Sequence, residues 1–144
     1  MHGLKSLYFA PPQLDIALLI LRVMAGFSLF LKHGMEKLTG FSQMAAHFPD
    51  PLHIGPVPSL AFALLSDAVC SLLIILGLGT RIAALVVAIN LIVAFTLVHR
   101  LNFSGPHPGE LAWLYLAIAV LLVLTGAGKF SVDHGVSRRT GFLR

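Results

Sequence analysis

The sequence predicts an all-α integral membrane protein, an up-and-down four-helix bundle, on three observations. Four apolar stretches, residues 16–31, 59–78, 82–98 and 111–128, fill half of the 144-residue chain. With its flanks, each is long enough to cross a hydrocarbon core that needs about 20 apolar residues. The chain is 57% hydrophobic and 11% charged, with a mean hydropathy of +0.89, too apolar to wet the surface of a soluble domain of this size. Backbone in lipid must satisfy its own hydrogen bonds, so each stretch is expected to be helical, and three connections then give the simplest bundle. Spans are assigned near 14–33, 59–79, 81–99 and 110–128 of a single domain covering 1–144.

The elements follow in order. Pro11 and Pro12 stop any earlier helix, and the first span, which carries Arg22, runs into Lys32, His33 and Gly34 with no small-residue cleavage site after it. That span is expected to serve as its own targeting signal. In the long connection, Phe41, Met44, Ala45 and Phe48 recur at helical spacing before Pro49, Pro51, Pro56 and Pro58, which predicts a short interfacial helix and an irregular return. The second span carries Asp67 and Cys70 and ends at Gly77 and Gly79. Thr80 is placed to cap the third, where Ala84 and Ala88 offer a small-residue face for close contact with another helix. Pro106 and Pro108 precede the fourth span, and Gly126 and Gly128 end it.

Orientation follows from the ten Lys and Arg. Lys5, Arg81, Lys129, Arg138, Arg139 and Arg144 fall on one side, Lys32, Lys37 and Arg100 on the other and Arg22 within the first span, so the first side is predicted to be cytoplasmic, with both termini there, in a plasma (inner) membrane. The same spread disposes of the pI of about 9.7 as a nucleic-acid signal, because the basic residues form no patch interleaved with aromatics. The lipid bilayer is the expected partner.

Charges inside the spans carry the functional reading. Counted from the shared ends of the first two spans, Arg22 and Asp67 fall at one level, and a facing pair is the economical way to bury both. Gly26, His33 and Lys37 lie within about 60° of the Arg22 direction on the first helix. His99, His107 and Glu110 fall at the level of His33 and Lys37, and five of the seven histidines (33, 47, 53, 99 and 107) share that side. The expected ligand-binding set is therefore Arg22, His33, Lys37, Asp67, His99 and Glu110, lining a polar pocket that opens outward, with Trp113 and Tyr115 near its rim. Two other readings stay open: Arg22 and Asp67 as a pair that fixes helix register, and His33, Lys37 and Glu110 as solvated helix ends.

Other chemistries find less support. His33-x-x-Glu36 and His107-x-x-Glu110 each place two ligand types one turn apart, but the first pair diverges around its helix and Gly and Pro surround the second, so no metal site is assigned. No nucleophile-elbow pattern is present, and catalytic residues are not identified. Cys70 is the lone cysteine, so the chain forms no C-x-x-C shuttle of its own and the thiol is read as a packing group.

Arg22, Gly26, His33, Gly34, Lys37 and Leu38 together resemble the R…G…HG..KL opening of the DoxX family. Residues 76–81 (LGLGTR), 110–112 (ELA) and 126–133 (GAGKFSVD) are similar to its later blocks, the last to its closing GxGR(Y/F)S(L/V)D signature. The resemblance spans residues 15–134. Asp67 departs from it, standing where the family usually has Glu, one methylene longer. The resemblance implies a four-helix membrane protein linked to thiol-redox and oxidative-stress complexes. On that basis a redox-complex subunit is expected, binding a quinone or a small thiol or oxyanion: Arg22, His33 and Lys37 would bond a carbonyl or anion, and Asp67 or Glu110 would exchange a proton. Electrons would come from redox partner proteins, with quinone as the one cofactor in prospect. The alternative is a non-enzymatic scaffold or assembly subunit, and a homo-oligomer is compatible with either. A solute transporter is disfavoured, since four spans form too small a pathway without oligomerising.

Overall fold

Lipid offers the backbone no partner, and the chain answers with helices throughout: no strand occurs among the described residues. The computed structural model describes residues 12–105 and 108–140, the side chains of residues 12, 139 and 140 aside. Helix α1 runs Gln13–Met44, α2 Pro56–Leu76, α3 Thr80–Val98 and α4 Glu110–Thr125; α5, Val132–Thr140, follows. The first three are long and apolar enough to cross a membrane, and α4 is a shorter apolar helix of 16 residues.

Two boundaries differ from expectation. Lys32, His33 and Gly34 do not end the first helix; α1 continues for 32 residues, about 48 Å at 1.5 Å per residue. The interfacial helix expected over residues 41–48 is instead the end of α1 followed by a turn. No proline interrupts the chain between 13 and 48, and the first turns of α2, Pro56–Leu64, pack beside Met35–Met44 and support it. Gly34 marks a close approach rather than an end: it keeps helical torsions (φ −70°), and a Cβ there would stand 2.6 Å from the Asp67 carbonyl oxygen.

That contact also fixes the register. Gly34 meets Asp67 and Ala68, and Gly26 meets Ser71 and Ile75, so the position level with Asp67 is Gly34. Arg22 lies 34 − 22 = 12 positions earlier, about 18 Å away along the axis. The expected Arg22–Asp67 pair is therefore absent, because α1 ends later and α2 starts earlier than the hydropathy edges suggest. Arg22, fully buried, instead donates from Nη1 to the carbonyls of Ile74 and Ile75, each at 3.2 Å, and from Nη2 to that of Phe130. It closes the carboxyl end of α2, where a cation also complements the helix dipole.

The turn it closes is a Schellman motif: Leu78 N–H donates to Leu73 at 2.9 Å and Gly77 N–H to Ile74 at 3.1 Å. Gly77 sits at φ +70°, and a Cβ there would collide with the Arg22 guanidinium. Asp133, from the start of α5, accepts the N–H groups of Gly79 at 2.7 Å and Thr80 at 3.0 Å. The amino end of α3 is thus capped by Asp133 and not by Thr80. Asp15 accepts Lys129 N–H at 3.0 Å and pairs with its ammonium at 3.4 Å. Residues 126–133 are a clasp tying the four helices at this end.

The helices do not pack evenly. α1 with α2 and α3 with α4 form the two extensive interfaces, and contacts between these two hairpins are fewer. Ala84 and Ala88, expected to offer a face for close helix contact, are buried in the chain's own apolar core. Toward the opposite end the two hairpins part: Pro56–Leu64 has few contacts with α3, and α4 few with α1. Each of the first three helices contains one π-helical turn in this region, Phe30–Gly34, Leu65–Cys70 and Ala94–Val98. Such turns widen the i→i+4 ladder to i→i+5 and recur at functional sites.

Candidate functional site

The parting of the hairpins opens a cavity of about 480 Å³. Most of its wall is apolar, with Leu29 from α1, Phe62 and Ala63 from α2, Ile89, Leu91, Val93 and Ala94 from α3, and Leu111 and Ala112 from α4. Phe48, Pro49, Leu52 and Ile54 of the first connection complete it on the loop side.

Most of its polar groups, His33, Lys37, Asp67, Asn90 and His99, come from the three π-helical turns or their flanks. Asp67 lies inside the second turn, and His33 inside the first. Asp67 pairs through Oδ2 with Lys37 Nζ at 2.9 Å, the two side chains being 7% and 11% exposed. Its Oδ1 accepts Ser66 Oγ at 3.1 Å and Asn90 Nδ2 at 3.2 Å. Lys37 donates also to the His33 carbonyl at 3.3 Å. Ser71, one turn on, donates to the carbonyls of Asp67 and Ala68 at 2.6 and 2.9 Å and holds the widened turn. Burying an ion pair costs desolvation that good geometry and extra hydrogen bonds must offset, and this pair has both.

The expected site residues separate. His33, Lys37, Asp67 and His99 all line the cavity. Arg22 does not, since it belongs to the clasp, and Glu110 stands exposed in the first turn of α4, outside the lining. His107 lies outside the described residues. Tyr115 lines the cavity, its ring edge-on to His33 with centroids 6.4 Å apart, and its hydroxyl bonds Ser28 Oγ of α1 at 2.5 Å. Trp113 instead stacks with Phe95 and Phe103. Asn90 went unnoticed in the sequence, although the signal was there: it is the only carboxamide in the third apolar stretch. Cys70 is buried.

The connection that borders the cavity is itself held by a carboxylate. Asp50 accepts Ile54 N–H at 3.0 Å, Gly55 N–H at 2.8 Å and Ser59 Oγ at 2.9 Å, bridging the loop to the first turn of α2. Lost hydration alone would raise its pKa, but the hydrogen bonds from Ser59, Gly55 and Ile54, with His53 nearby, outweigh that and hold the carboxyl below its ordinary range.

Chemically, the cavity offers an apolar chamber for an uncharged ring or chain and a cluster of hydrogen-bonding groups at one end. Among the described lining residues Lys37 is the only Lys or Arg, and its charge is already matched by Asp67. The floor therefore favours a neutral polar head over a free anion.

Sequence comparison places the chain among known proteins. It is similar to two uncharacterized proteins of Haemophilus influenzae (strain Rd), one 31% identical over 82% of each chain, the other 31% identical over 81% of this chain and 88% of the relative. It is 30% identical, over 83% of its length and 86% of the relative's, to a Bacillus subtilis (strain 168) protein named "Putative oxidoreductase CatD". No solved structure matches the sequence. The DoxX family matches residues 17–100, a segment holding Arg22, His33, Lys37, Asp67 and Asn90, and the chain belongs to that family of integral membrane proteins.

Proposed function

We propose that the protein is a subunit of a membrane redox complex and binds a quinone in this cavity. The observation that carries the reading is the combination of an apolar chamber with one polar floor, Lys37–Asp67–Asn90, in which the charges already balance. A quinone is uncharged, has a flat apolar ring and presents carbonyl acceptors, so it asks for this distribution. Lys37 and Asn90 would donate to a carbonyl, and Asp67 would hold or release the proton that accompanies its reduction. Electrons would come from a partner protein, since the lone Cys70 makes no dithiol within the chain. The oxidoreductase name of the Bacillus subtilis relative supports a redox setting. An oxyanion or small thiolate is less suited, because no surplus positive charge faces it.

Mass spectrometry of the protein purified in mild detergent tests this. A quinone is expected in stoichiometric amount, depleted in Asp67→Asn and Lys37→Gln. Wild-type protein without quinone, which also fails to take up added quinone, would overturn the reading.

Placement in the plasma (inner) membrane with both termini cytoplasmic belongs to the same proposal, and the basic residues at the clasp end support it. A reporter active only in the cytoplasm, fused to the carboxyl end, should give signal. A silent cytoplasmic and active periplasmic fusion would reverse the orientation.

A further inference from the structure

The cavity is enclosed by two hairpins that barely touch at this end, so it has two seams, one between α2 and α3 and one between α4 and α1. A single side-chain hydrogen bond described above crosses each: Asn90 to Asp67 in the first, Tyr115 to Ser28 in the second. The seams differ in what flanks the bond. Around the Asn90 bond, Phe62 on α2 and Ile89 and Val93 on α3 all line the cavity, Phe62 and Val93 on its loop side and Ile89 one position toward the clasp. Phe62 and Ile89 are at the same time 37% and 45% exposed, within helices long and apolar enough to cross a membrane. One side chain that faces both a cavity and the bilayer is the edge of an opening. On the α4–α1 side, Tyr115 and His33 meet in the seam, and only Leu111, in the first turn of α4, both lines the cavity and is exposed, with no exposed lining residue opposite it on α1.

We infer that the α2–α3 seam is a lateral portal to the bilayer, and that the ligand is a lipid-dissolved amphiphile whose head reaches Lys37–Asp67–Asn90 while its apolar tail leaves between Phe62 and Ile89. The proposal rests on the quinone reading and sharpens it: the quinone carries a hydrocarbon tail. Cavity size argues the same way, since about 480 Å³ accommodates a head group and a short length of chain but not a long one. The polar floor lies beside the seam because Asn90, which bridges it, adjoins Ile89 in sequence. Asn90 is thereby a binding residue that also borders the portal.

The test uses full-length protein in lipid nanodiscs with two probes that share a head, menaquinone-4 and tail-less menadione. Ile89→Phe narrows the seam without touching the floor. It should weaken menaquinone-4 binding about tenfold and leave menadione within about twofold. A menaquinone-4 analogue with a photoreactive group on its first isoprene unit provides a second readout on the unaltered protein. It should label the segments around Phe62 and Ile89, not those around Ser28 and Tyr115. Equal effects of Ile89→Phe on both probes, or labelling confined to the α4–α1 side, overturns the portal and leaves the quinone site standing. Binding of neither probe to wild-type protein overturns both.

Discussion

The two ends of the bundle bury charge in opposite ways. At the clasp, Arg22 and Asp133 are answered by backbone: carbonyls of Ile74, Ile75 and Phe130 for one, N–H groups of Gly79 and Thr80 for the other. At the cavity, Lys37 and Asp67 are answered chiefly by side chains, and Lys37 uses two of its three donors there. A charge that meets helix-end backbone completes a turn and is bound into the fold. A charge that meets other side chains beside an open volume keeps capacity for a ligand. Sequence spacing shows one of each kind, Arg22 and Asp67, as an intramembrane charge and does not separate them.

The largest expected effect tests whether the ends are independent. Lys37→Met or Asp67→Leu alone strands a buried charge and should cost about 3–5 kcal/mol, while the double variant regains most of it. Arg22→Leu with Asp67→Leu should instead add to within about 0.5 kcal/mol, as separated sites do. Thermal melts in detergent measure both cycles. Coupling between Arg22 and Asp67 would erase the distinction drawn above.

Within the clasp, Gly77→Ala and Gly79→Ala form a matched pair. Both glycines have left-handed torsions, φ +70° and +57°, but nothing lies within 4 Å of a Cβ at Gly79, whereas one at Gly77 collides with Arg22. Gly79→Ala should cost about 1–2 kcal/mol, and Gly77→Ala clearly more. Equal melting temperatures would show that Arg22 yields freely.

At the cavity end, Lys37→Gln should lower quinone retention about tenfold while Glu110→Gln leaves it unchanged, because Glu110 stands outside the lining. Equal losses would return Glu110 to the site. The smallest effect concerns Asp50. Its folded pKa lies below its ordinary 3.8, so its contribution is full above that value and is lost as pH falls through the lower folded one. The amide resonances of Ile54 and Gly55 should therefore hold steady down to about pH 4 and shift together below it, and Asp50→Asn should remove that transition.

The helices were legible because apolar runs bounded by proline and glycine leave one solution in lipid, and Lys37, His33 and His99 were legible as polar groups at one depth, with Asp67 expected deeper, beside Arg22. What failed was register. Hydropathy edges mark where side chains change character, not where hydrogen bonding stops, so α1 looked about a dozen residues too short and Arg22 was matched to Asp67. The clasp was visible as a motif, residues 126–133, without its meaning, since the partners of Asp133 lie 53 and 54 positions away. The π-helical turns have no periodic signature, and with them the widening that admits the cavity went unseen.

Those turns carry a consequence for how the site could be altered. A π-helical turn accommodates a residue beyond the regular count, and each residue along an α-helix advances the phase by about 100°. Deleting one position within Leu65–Cys70 would let α2 relax to regular pitch and swing one half of the helix by that angle relative to the other. Asp67 would no longer face Lys37 in step with the Arg22-bound end, though composition and hydropathy would scarcely change. In this protein, chain length counted to the single residue sets which side chains meet at the cavity, and a relative one residue shorter here would be expected to keep the bundle and lose the pocket's polar floor.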